Sequence, residues 1–60
     1  MTLKEYKLKK NLTYRALAER FGTIVNNVFR WCQDDVDAQV KMVDGKRSIV
    51  INKVVAQEVK

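Results

Sequence analysis

Residues 13–31 read Thr-Tyr-Arg-Ala-Leu-Ala-Glu-Arg-Phe-Gly-Thr-Ile-Val-Asn-Asn-Val-Phe-Arg-Trp. Small Ala18, Gly22 four residues on, Val28 six further and Trp31 three after that make the spacing of a helix-turn-helix. Gly22 stands where the chain must turn sharply, and a residue without Cβ adopts positive φ there at no steric cost. Before the turn, Tyr14, Leu17, Ala18 and Phe21 recur at helical spacing, which predicts a helix over 14–21 with these four inward. Thr13 is its N-cap. After the turn, a third helix is predicted from about Ile24 to Gln33. At 100° per residue Ile24, Val28, Trp31 and Cys32 fall on one side. Asn26, Asn27, Arg30 and Gln33 fall on the other, with Val25 and Phe29 on the flank between.

Upstream, Thr2, Leu3, Lys4 and Glu5 have the form of a capping box, in which Thr2 and Glu5 each bond the other's backbone amide. A first helix is therefore predicted from Leu3 to Lys10, with Leu3, Tyr6 and the Lys10 stem inward. Asn11 ends it by tolerating a left-handed conformation. Leu8 and Leu12 are expected to join the core near the bend.

Downstream the period changes. Asp34 and Asp35 break the third helix. Val36, Ala38, Val40 and Met42 then alternate with Asp37, Gln39 and Lys41, a strand signal. Asp44-Gly45 is a two-residue hairpin turn, and a second strand is expected from Ser48 to about Ala56. The turn pairs Val43 with Lys46, Val40 with Ile49 and Ala38 with Ile51, which puts the last four on one face. The other face keeps Val43, Val50 and Val54. An isolated two-stranded ribbon is not stable, so it must pack on the helices, on a second copy, or on both. The fold class expected is α+β: three helices, then a C-terminal antiparallel hairpin. Residues 1–33 would be the helical part of a single domain over 1–60, and 36–56 the hairpin.

Sixty residues bury only a marginal core. Cys32 is the only cysteine, so no intrachain disulfide assists, and no His or Cys cluster suggests a structural metal. Oligomerisation is the remaining common route to stability. A lone thiol and an N-terminus unlike a signal fit a cytoplasmic protein. No apolar run approaches the roughly 20 residues of a membrane span. Asp34, Asp35 and Asp37 lie at a helix end without a His partner, which gives no catalytic or metal site. No enzyme, cofactor or small-molecule ligand is expected.

The charge is informative through its distribution. Residues 1–31 carry seven basic residues against two acidic ones, which accounts for the whole net charge of +5. Residues 32–60 are balanced. A basic half suits a polyanion, because Lys and Arg displace condensed counterions from phosphates. That half also holds the helix-turn-helix, a device whose second helix enters the major groove while the first lies across the backbone. Double-stranded DNA is the partner these features imply. Lys7, Lys10, Arg15 and Arg20 are candidates for phosphate contact, or for plain surface.

The stretch from Leu3 to Gly22 resembles the first two helices of the helix-turn-helix repressors of temperate phages, and Val28 and Trp31 match the buried positions of their recognition helix. The hairpin that follows, in a chain of this length, is similar to that of the mixed α/β Cro repressors. The resemblance implies a homodimeric operator-binding repressor. It makes Tyr14 and Arg15 contacts to phosphate or supports for the reading side chains. It makes Ile24, Val25, Asn26, Phe29 and Arg30 the reading positions. Three of those five are apolar here, a departure from the family, though apolar side chains can read a thymine methyl. Ile24 also stands where a Ser or Thr cap is usual. Thr23 is the better cap by chemistry and would start the third helix early.

Arg30 is a candidate for bidentate contact with guanine, or for a phosphate or surface ion pair. Asn26 can pair with adenine or serve phosphate, and Asn27 suits the DNA backbone better than a base. Val25 and Phe29 are thymine contacts or core edges. Trp31 and Cys32 read as core. Val43, Val50, Val54 and Val55 are candidates for the dimer interface. Two alternatives stay open. One is a winged, excisionase-like architectural protein touching DNA through Lys46 and Arg47, which otherwise form a charged turn that discourages aggregation. The other is a protein-interaction module, such as an antitoxin or anti-repressor, with a vestigial helix-turn-helix.

Overall fold

A computed structural model of the chain describes residues 1–59, which form an α+β fold of three helices followed by a three-stranded antiparallel sheet. Helix α1 spans Leu3–Lys9. Thr2 Oγ1 accepts from the Glu5 amide at 3.1 Å, and Glu5 Oε1 accepts from the Thr2 amide at 3.3 Å and hydroxyl at 2.9 Å. This is the reciprocal capping box that the sequence spacing predicts. The Thr2 side chain, and then its backbone, hold the Glu5 carboxyl below the ordinary carboxylate range. At the other end Asn11 takes φ +54°. The Asn11 amide donates to the Leu8 carbonyl and the Leu12 amide to the Lys7 carbonyl. These two bonds form a Schellman motif.

Helix α2 spans Tyr14–Arg20, capped by Thr13 Oγ1, which accepts from the Ala16 amide at 3.0 Å. Helix α3 spans Val25–Trp31. The helices bury Leu3, Tyr6, Leu17, Ala18, Phe21 and Val28 together, and Leu12, Trp31 and Cys32 pack partly against them.

Strands β1 (Gln39–Val43), β2 (Lys46–Ile51) and β3 (Lys53–Gln57) follow in that order across the sheet. Asp44 and Gly45 both take positive φ, the type I′ geometry that suits the twist of a hairpin. Val43 pairs with Lys46 and Val40 with Ile49, the expected register. Ala38 and Ile49 are buried, and Val40, Ile51 and Ala56 pack against the same core. The ribbon therefore closes on the helices of its own chain. Residues 1–3 extend its edge, through bonds from the Leu3 amide to the Ala38 carbonyl and from the Val40 amide to the Met1 carbonyl.

The expected single strand from Ser48 to Ala56 is instead two. The chain reverses at Asn52, which takes φ +63°. Asn is one of the few residues other than Gly that visit this region cheaply. Apolar runs lie on both sides of the reversal, Ile49 to Ile51 and Val54 to Ala56, and such runs suit one strand or two. Ile49 pairs with Ala56 and Val50 with Val54, which leaves Val55 as the extra residue of a bulge.

Several side chains differ from expectation, among them Met42, which is 64% exposed near the hairpin end. Leu8 is 68% exposed, because it sits about 140° around the helix from Leu3. Lys10 is exposed at the C-cap rather than laid inward. Ile24 is 62% exposed, because it precedes the first turn of α3 instead of belonging to its inward stripe. Tyr14 lies at the rim of the core, not within it.

Buried Tyr6 joins the two layers. Its Oη accepts from Arg20 Nη1 at 3.2 Å and from Arg47 Nη1 at 3.3 Å. Arg47 also donates to Glu58 Oε2 at 3.2 Å and stacks 5.3 Å from the Tyr6 ring centre. Arg47 therefore belongs to the interior face of the sheet, not to a free hairpin tip as a wing contact would require. Arg47 is a cation at any ordinary pH, and Tyr6 and the Glu58 carboxylate raise its pKa further.

Candidate nucleic-acid interface

The turn between α2 and α3 is built by hydrogen bonds centred on Gly22. The Gly22 amide donates to the Glu19 carbonyl and the Thr23 amide to the Ala18 carbonyl, with Gly22 at φ +64°. This second Schellman motif satisfies the end of α2 and swings the chain into α3. Thr23 does not cap α3. Ile24 holds the N-cap position, and Thr23 Oγ1 accepts instead from Asn27 Nδ2 at 3.0 Å. Helix α3 thus starts where the family resemblance puts it, and the early start suggested by Thr23 does not occur. The hydroxyl braces the first turn from beside it.

On α3, Val28 is buried and Trp31 and Asn27 are half-buried. Val25, Asn26, Phe29 and Arg30 are exposed, so the four expected base-reading residues share the outward side of the helix. Asn27 is committed to Thr23, which leaves less of its amide for a ligand. Gln33 Nε2 donates to the Phe29 carbonyl at 3.2 Å.

Three expected residues from three helices meet. Phe29 stands edge-on to Tyr14, with ring centroids 5.5 Å apart and an interplanar angle of 80°. Lys7 Nζ lies 4.6 Å over the same Tyr14 ring. Such edge-to-face and cation–π contacts fix ring orientation as well as adding attraction. Tyr14 therefore braces Phe29 from α2 while Lys7 brings a cation from α1. Arg15, the next residue, is exposed and 3.6 Å from Glu19. An exposed pair of this kind contributes little and yields readily to a phosphate. Lys10 is exposed beyond the end of α1.

The expected interface residues lie apart from this surface, on the sheet. Val43 and Val50 are half-buried, on the face opposite Val40 and Ile49. Val54 and Val55 are exposed on edge strand β3.

Periodicity assigned Ile24 inward, whereas the family resemblance counted it among the reading positions; its exposure follows from its place before the first helical turn. The Cys32 thiol is pushed up by burial, against a smaller pull from Lys7 and Lys4, which keeps it protonated near neutral pH. Among the described residues no group of three His, Cys, Asp or Glu is arranged to hold a metal. No helix among them is long and apolar enough to cross a membrane.

Comparison of the chain with protein families, with curated proteins and with solved structures finds no match.

Proposed function

We propose that this protein is a sequence-specific DNA-binding transcription regulator, a dimeric Cro-like repressor of phage or prophage type. The observation that carries the reading is the outward side of α3. Asn26 and Arg30 offer amide and guanidinium donors suited to base edges, and Val25 and Phe29 adjoin them. The net positive charge lies in the same half of the chain as α3, and Lys7, Lys10 and Arg15 would serve phosphates. Helix α3 would lie in the major groove, α2 across the backbone, and transcription would be blocked by covering a promoter element. The protein would act in the cytoplasm, on the nucleoid when bound.

Edge strand β3, with Val54 and Val55 exposed, is the surface through which two copies would associate, with Val43 and Val50 on the adjoining sheet face. Two recognition helices would then meet half-sites about 34 Å apart on a near-palindrome. Engagement of Arg47 with Tyr6 and Glu58 favours this arrangement over a winged one.

Selection of bound sites from random duplexes tests the reading. Enrichment of a near-palindrome with half-sites one helical turn apart is the expected result. A pool with no enriched sequence would contradict it.

A further inference from the structure

The outward side of α3 is divided. Asn26 and Arg30 carry polar atoms, while Val25 and Phe29, one helical turn apart, present apolar surface that is 42% and 53% exposed. Apolar groups held this openly, and braced from behind, call for a partner surface. Phe29 is braced by Tyr14, and Tyr14 in turn by Lys7. The surroundings define the partner's charge. Lys7 reaches the pair through the Tyr14 ring, and Arg30, the exposed neighbour of Phe29 in the chain, carries a second cation. Such cations beside the pair suit a polyanion.

Resting on the DNA-binding reading above, we propose that Val25 and Phe29 recognise thymine by its 5-methyl group. That methyl is the apolar feature a base pair displays in the major groove, and it is absent from cytosine, guanine and adenine. Side chains one helical turn apart have Cβ atoms about 6 Å apart. Base pairs rise about 3.4 Å each. The pair therefore spans two base steps at most, so the methyls it meets fall within three consecutive base pairs of each half-site. Asn26 and Arg30, on the adjoining strip, read hydrogen-bonding edges next to that window.

The test uses the selected duplex with deoxyuridine replacing thymine one position at a time, which deletes the methyl and leaves the pairing edge intact. Binding is read by fluorescence anisotropy with the wild-type protein. One or two positions in a single three-base-pair window of each half-site are expected to lose affinity roughly fourfold per methyl, the worth of one methyl withdrawn from water. Thymines elsewhere are expected to show no change. Val25→Ala and Phe29→Ala, checked for folding by circular dichroism, should each flatten the effect at its own position. A site that binds selectively but is indifferent to deoxyuridine overturns the methyl proposal and leaves DNA binding standing. Failure to bind any duplex selectively overturns both.

Discussion

Val59 closes over Gly22. A Cβ on Gly22 would stand 3.0 Å from Val59 Cγ1, and the Val59 amide donates to the Arg20 carbonyl at 2.9 Å. The segment that follows β3 is thereby tied to the turn that aims α3. Gly22→Ala meets two penalties, a positive φ that costs an L-residue about 1–2 kcal/mol and a contact that Val59 must relieve by moving. Equilibrium denaturation is expected to show a loss of about 1–3 kcal/mol. The Val59→Ala background should lower the cost of Gly22→Ala without abolishing it. Equal costs in both backgrounds would show that only φ matters.

Tyr6→Phe removes the oxygen that accepts from Arg20 and Arg47 while keeping the buried ring. Hydrogen bonds to charged groups are worth more than neutral ones, but both guanidiniums retain some access to water. A loss of about 1–2 kcal/mol is expected in urea denaturation. A variant as stable as the wild type would show that the two arginines find equivalent partners.

Glu5 gives the fold a pH dependence of known sign. Its folded pKa is depressed by Thr2, so its contribution is complete above the unfolded-chain value of about 4.3. The contribution disappears as pH falls through the lower folded value. Carbon-detected titration of the Glu5 carboxyl should give a midpoint that rises in Thr2→Val. An unmoved midpoint would mean that the capping box does not form in solution.

Arg30→Ala is expected to weaken binding to the selected site by about 1–3 kcal/mol and to relax preference at one base position of each half-site. Anisotropy against single-base variants measures it. Uniform weakening over all sequences would assign Arg30 to phosphate instead.

Local chemistry made much of the fold legible in the sequence. Thr2 with Glu5, Thr13, Asn11 and Gly22 each state a cap or a turn whose partners lie within a few residues. Asp44-Gly45 fixed the first hairpin and its register. The β2–β3 reversal was not legible, because Asn52 sits among residues equally at home in one strand or two, and the choice depends on tertiary pairing of Val54 and Ala56 with β2. Arg47 misleads for a related reason. A cation beside a tight turn reads as solvent-exposed, and only the fold brings Tyr6 and Glu58 to it. At the candidate interface, Asn26 and Arg30 were marked as outward by helical angle. The bracing of Phe29 by Tyr14 joins two helices and has no counterpart in spacing along the chain.

The most direct measurement is a titration of the isotope-labelled protein with the selected duplex, followed by amide and side-chain NMR. The expected result is that the largest shifts fall on Val25, Asn26, Phe29 and Arg30, with smaller ones on Tyr14 and Arg15. Shifts confined to the sheet, or no saturable shifts at all, would contradict α3 as the element that reads DNA.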